Sequence, residues 1–224
     1  MIVAGIDTAT PATVTGVLLP GGRVVEARDE PEEGSRGAHA SRLLVLLERA
    51  LGEAGVAWEE VDRIAVGVGP GGFTGLRIGI ATARALAQAR GLPLVPVSSL
   101  SALAQGAGDG AGVVAAVIDA RRGEVFAAAW DGAGELVAPA AMAPAALAEQ
   151  LLALDVPVQA VGDGAVRFRE ELEGAGVAVP VDGSAVHRIA AAPLCRLGAV
   201  GEPAERDRLL PDYRREPDAK PPPV

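Results

Sequence analysis

The sequence predicts an α/β fold built twice over, in two lobes. Three observations carry this. Short β-branched runs that end in glycine or aspartate alternate with longer Ala/Leu-rich runs of helical character. The opening run Ile2-Val3-Ala4-Gly5-Ile6-Asp7 is echoed, terminal aspartate included, by Val113 to Asp119. Between the two copies lies a glycine-rich stretch, residues 106–112, that reads as a lobe boundary.

In order along the chain, residues 2–7 read as a buried strand and Val14 to Leu19 as a second. The turn Pro20-Gly21-Gly22 leads into a third at Val24-Val25. Ser35 is placed to cap a helix carrying Leu43, Leu44, Leu46, Leu47 and Leu51, closed by Gly52 or Gly55. Ile64 to Val68 is a strand that runs straight into glycine. Leu76 to Arg90 is a helix stopped by Gly91 and Pro93, and Leu94 to Val97 a further strand. Ser98 or Ser99 opens another helix. Strands first and then βαβ imply a mixed sheet with helices on its faces. Past the boundary come strands at 113–119, Val125 to Trp130 and Val158–Val161, with helices at 144–154 and 165–173. The expected division is a lobe over 1–107, a smaller one over 108–216, and a disordered Pro-rich tail at 217–224.

Composition narrows the function. Half of the 224 residues are hydrophobic but only 3% are aromatic, so the core is built from Ala, Val, Leu and Ile. A net charge of −9 argues against free-standing nucleic-acid binding. The single cysteine, Cys195, excludes an intramolecular disulfide and suits a reducing cytoplasm; beside alanine and leucine it reads as a small core residue. The expectation is a soluble cytoplasmic protein without leader or membrane span.

The strongest local signal is residues 67–79, GVGPGGFTGLRIG, where strand, glycine loop and helix succeed one another. Such a junction can hold an anion at the helix N-terminus, and Gly71 and Gly72 would then be binding residues. It lacks the Lys-Ser/Thr of a P-loop. The competing reading is a tight turn whose glycines let another element pass close by, and this is the preferred one. Asp7 and Asp119 end equivalent strands. Facing each other they could hold a hydrated Mg²⁺; as turn caps they need no metal, and capping is the favoured reading. Arg121 and Arg122 are expected to line their turn and pair with Glu124 or nearby acids. His39 has Leu43 four residues on and no second histidine near it, which leaves no metal site there. On the helix Leu76–Arg90, Ile78, Ala81, Ala85 and Ala89 fall at helical spacing with Thr82 beside them. Such small side chains would let a second helix approach, besides the one face owed to the protein's own sheet.

GPGGFTGLRIG closely resembles the GPGSFTGLRIG signature of the TsaB family, with Gly72 in place of the serine. IDTAT at the start, VSSL at 97–100, DARRGEV at 119–125 and Pro211-Asp212-Tyr213-Arg214 match as well, so the resemblance runs from residue 1 to about 215. It implies the duplicated ASKHA fold of actin, Hsp70 and sugar kinases. It also implies a non-catalytic subunit in tRNA threonylcarbamoyladenosine formation, with no catalytic or metal-binding residue and no cofactor of its own. The implied partners are TsaD, which carries the metal and the active site, and TsaE, an ATPase. A separate enzyme makes the threonylcarbamoyl-adenylate, and tRNA is met only through the complex. Self-association of the isolated chain stays open. The family pairs through two helices of the first lobe. With that implication His39, Leu43, Leu47, Ile78, Ala81, Thr82, Ala85 and Ala89 become the candidate contacts. A metal peptidase and a small-molecule kinase of the same superfamily are the alternatives.

Overall fold

The computed structural model describes residues 1–32, 37–108 and 112–215. The expected cap Ser35, the tail 217–224 and residues 109–111 of the boundary lie outside them. Five strands make the first sheet: β1 (Val3–Asp7), β2 (Thr13–Leu18), β3 (Val24–Asp29), β4 (Arg63–Gly69) and β5 (Leu94–Ser98), in the order β3-β2-β1-β4-β5. β6 (Val113–Arg121), β7 (Glu124–Trp130), β8 (Glu135–Met142) and β9 (Val158–Val161) make the second, in the order β8-β7-β6-β9. In each, the first strand pairs antiparallel with the next in sequence and parallel with the fourth. The echo at residues 113–119 is therefore a repeat of topology. Among the described strands, β5 alone has no counterpart.

The helices are α1 (His39–Ala54), α2 (Phe73–Arg90), α3 (Ser99–Gly106), α4 (Pro144–Leu152), α5 (Asp163–Arg167), α6 (Arg169–Gly174) and α7 (Ala191–Val200). Both sheets are buried on two faces, so strand residues alternate between cores rather than between core and water. Ala4, Ile6, Ile64 and Val66 face α1 and α2, while Val3 and Ala65 face α7. In β6, Val114, Ala116 and Ile118 join Leu100 and Leu103 of α3, whereas Val113, Ala115 and Val117 join Leu147 and Leu151 of α4. The layers thus run α1/α2, first sheet, α3/α7, second sheet, α4/α5/α6.

Gly55 and Gly91 end α1 and α2 in the left-handed conformation that glycine adopts without penalty. Ser98 Oγ accepts the Ser101 N–H and caps α3. The single helix expected at 165–173 is broken at Phe168 into α5 and α6. Two elements absent from the sequence reading, β8 and α7, complete the fold. α7 lies against β1, β2 and β4 of the first sheet although it follows the second. Its last carbonyls are held by Arg63 at the start of β4, whose Nη1 donates to the oxygens of Gly198, Ala199 and Gly201 at 3.2–3.3 Å.

Candidate functional site

A cleft of about 680 Å³ opens between the sheets, walled by the turn after β1, the first turn of α2, the end of β6 and residues 212–215. Its α2 wall explains the glycine loop. A Cβ on Gly71 would collide with the carbonyl of Ala9, one on Gly75 with that of Thr8, and one on Gly79 with Thr8 Oγ1. Gly75 and Gly79 share one stripe of α2 and Gly71 lies in the loop just before it, and the turn Thr8-Ala9 packs directly on all three. Thr8 Oγ1 donates to Gly75 O at 2.8 Å, and Gly72 N–H to Ala9 O at 2.7 Å. Close approach is thus the reason for the glycines at 71, 75 and 79. Gly72 differs: it is exposed, and a Cβ there would stand 3.6 Å from Ala9 O, an ordinary contact. Nothing in this packing requires glycine in place of the family serine. α2 begins at Phe73, three residues before the expected Leu76; Gly75, a weak helix former that hides this first turn in the sequence, is needed against Thr8.

The two aspartates of the echo have different fates. Asp7 is buried, does not line the cleft, and is used up locally. Its Oδ1 accepts the Ala9 N–H at 2.8 Å and its Oδ2 the Ser99 hydroxyl at 2.7 Å. Burial raises its pKa despite these two bonds. Gly67 lies under the carboxyl, with no room for a Cβ. Asp119 does line the cleft. Its Oδ2 meets Arg167 at 2.9 Å and Arg121 at 3.2 Å, its Oδ1 accepts the Arg121 N–H, and its own N–H donates to Asp163. Burial also raises the Asp163 pKa. Arg121 and Arg122 both have positive φ and form the β6–β7 turn; Arg121 pairs with Asp119, while Glu124 pairs with Arg215.

His39 is a correction. It is 7% exposed, with Nδ1 on Thr13 Oγ1 at 2.8 Å, and burial lowers its pKa although Asp29 works the other way. Leu43 and Leu47 are buried with it in the core between α1 and the first sheet. Leu43 and Leu47 are closed to a protein partner, and His39 turns to the cleft rather than to the outer face of α1. The run Leu43-Leu44-Val45-Leu46-Leu47 offers two faces, and the structure turns Leu44 and Val45 outward, 50% and 60% exposed. On α2, Ala81, Ala85 and Ala89 are exposed, and Ile78 and Thr82 are half-buried beside them. Among the described residues no three His, Cys, Asp or Glu side chains could hold a metal. The second histidine, His187, is structural, accepting the Gly162 N–H and meeting Pro180 O. Cys195 is buried, with its thiol pKa pushed up to about 12 and its Sγ 3.8 Å from Gly16 O.

Missed by the sequence reading was the use of Pro211-Asp212-Tyr213-Arg214. Residues 211–215 strap the two sheets together beside the cleft. Asp212 N–H donates to Val68 O, and Tyr213 stacks on Phe73 at 5.1 Å and accepts from Arg77 Nε. On the other side, Arg214 donates to Pro139 O and Arg215 to Ala120 O.

A family model described as TsaD: tRNA N6-adenosine threonylcarbamoyltransferase matches residues 28–191. The tRNA threonylcarbamoyladenosine biosynthesis protein TsaB of Bacillus subtilis is 30% identical over 81% of this chain and 82% of its own length. This chain belongs to the TsaB family. The TsaB protein of Escherichia coli is 41% identical over 56% of this chain, and an uncharacterized protein of Mycobacterium tuberculosis 39% over 64%. The matches span 53% and 65% of those two relatives. Among solved structures, an uncharacterized Pseudomonas aeruginosa protein with similarity to peptidase YeaZ superposes with a TM-score of 0.77 at 32% identity, covering 96% of this chain and 99% of that one. A ROK hexokinase of Thermus thermophilus superposes at 0.53 with 18% identity, over 89% and 99%, which places the TsaB fold within the ASKHA architecture and says nothing more. Among the described residues no helix is long and apolar enough to cross a membrane.

Proposed function

We propose that this chain is the accessory subunit of a tRNA threonylcarbamoyladenosine-forming complex and that it docks on a TsaD subunit through the outer face of α1 and α2. The observation that carries the docking surface is the outward pair Leu44 and Val45 on α1, next to a helix whose own outer face is alanine at 81, 85 and 89. Exposed branched side chains beside short ones let a partner's helices seat closely and bury apolar area. Family membership supports the role. The net charge of −9 supports a division of labour in which tRNA is held by other subunits, with TsaE and the metal-bearing TsaD supplying ATP and metal chemistry.

The test is a double variant, Leu44→Glu with Ala85→Glu, co-expressed with TsaD and assayed by co-elution and by tRNA modification. Burying uncompensated charge costs several kcal/mol, enough to abolish a micromolar complex. Both positions are exposed, so circular dichroism and melting temperature are expected to stay at wild-type values while co-elution and modification are lost. Wild-type affinity in the folded variant would move the docking surface elsewhere.

A further inference from the structure

We propose that the first turn of α2 together with His39 forms a binding site for a small oxyanion, a carboxylate or a phosphate, on the cleft wall. Two independent observations meet there. The N–H groups of Phe73, Thr74 and Gly75 have no acceptor among the described residues, whereas Gly72 N–H is engaged by Ala9 O and Leu76 N–H by Gly72 O. Behind them stand 18 helical residues, whose aligned peptide dipoles favour negative charge at this end.

The second observation is the imidazole. His39 is more than nine-tenths buried, lines the same cleft, and its Nε2 has no partner among the described residues. That nitrogen lies 3.1 Å from the position a Gly75 Cβ would take, against the first turn of α2. Its protonation follows from Thr13. The Thr13 hydroxyl is buried, and its only acceptor among the described residues is His39 Nδ1, so Thr13 donates and the ring hydrogen sits on Nε2. A neutral ring donor thus faces the cleft against the first turn of α2, and an oxyanion satisfies it and the three backbone donors together. Gly71 and Gly72 keep the approach free of side chains, and both line the cleft. The cleft carboxylates Asp119 and Asp163 are already held by arginine or backbone N–H groups. This site does not depend on the docking reading.

The full chain, ¹⁵N-labelled, is titrated with sodium phosphate in one arm and sodium acetate in the other, at constant ionic strength set with sodium chloride. Saturable shifts are expected at the amides of Phe73, Thr74 and Gly75 and at His39 Nε2, and the arm that saturates first names the anion. Thr74→Pro removes one donor in the first turn, where proline is tolerated. His39→Phe removes the imidazole donor. Each is expected to weaken binding about tenfold or more, the loss of one hydrogen bond to a charged group. His39→Gln, which keeps an N–H near Nε2, recovers part of it. Shifts that grow linearly in both arms overturn the site, as does unchanged affinity in Thr74→Pro, which decides the matter even if His39→Phe fails to fold.

Discussion

The two halves of the molecule share a strand plan and differ in what they do with it. In the first, the helices that follow β3 and β4 run from His39 to Ala54 and from Phe73 to Arg90; the second follows its equivalent strands with the shorter α4 and α5. The first half seals its strand-end aspartate under Gly67 and Ser99, while the second leaves Asp119 at the cleft in the hands of two arginines. One topology therefore hosts a closed, packing-dominated junction and an open, charge-dominated one. The longer helices give the first half the larger outer helical surface.

The strongest way to break this comparison is Gly67→Ala. The added methyl would displace the Asp7 carboxyl from the Ala9 N–H and the Ser99 hydroxyl, combining overpacking with an unsatisfied buried acid. A loss of about 3 kcal/mol is expected in urea unfolding, against about 1 kcal/mol or less for Asp119→Ala, whose arginine partners are half exposed. Equal losses would mean that the two junctions are not different in kind.

A smaller effect sharpens the same contrast. The folded-state pKa of Asp7 lies above its ordinary value because burial penalises the charge. Its cost is therefore absent at low pH, where both states are protonated, and grows as pH rises from the ordinary carboxylate value through the folded-state one. Asp7→Asn removes that ionisation while keeping an acceptor for Ala9 N–H. Compared with wild type, the variant is expected to gain stability between pH 4 and pH 7, read from denaturant midpoints at both. A stability difference that does not change with pH would contradict the burial account.

The smallest effect concerns Gly72, the N-cap of α2, where the space for a side chain is already present. Gly72→Ser is expected to stabilise the protein by a few tenths of a kcal/mol through N-capping, or about 1 °C in melting temperature. A lower melting temperature would show that this position needs glycine after all.

Much of this architecture was legible because buried strands are written as β-branched runs and because glycine punctuates them. What was not legible has physical reasons. β8 carries Pro139 and an Ala-rich second half, so it shows no clean alternation. α7 has proline in its first turn and apolar residues on most sides, as a helix in a middle layer must. The face of α1 was misread because five consecutive aliphatic residues satisfy either face, and only the position of the sheet chooses between Leu43 and Leu44. Asp7 and Asp119 look alike in sequence; their partners Ser99 and Arg167 come from distant segments. The strap was visible as a motif, but its work of joining Val68 and Phe73 to Pro139 and Ala120 exists only in three dimensions.

The placement of α7 has a consequence for how the protein is made. Strands β1 to β5 leave the ribosome before the second sheet, yet the helix that covers β1, β2 and β4 is synthesised only after all nine described strands. Val3, Gly5 and Ala65 meet Leu194, Cys195 and Gly198 only then. A nascent chain halted after Gly106 would present one side of a finished sheet to water, a surface on which chaperones or other chains can settle. The protein's birth is thus a wait: the first sheet stays half-clothed until residues 191–200 arrive to cover it.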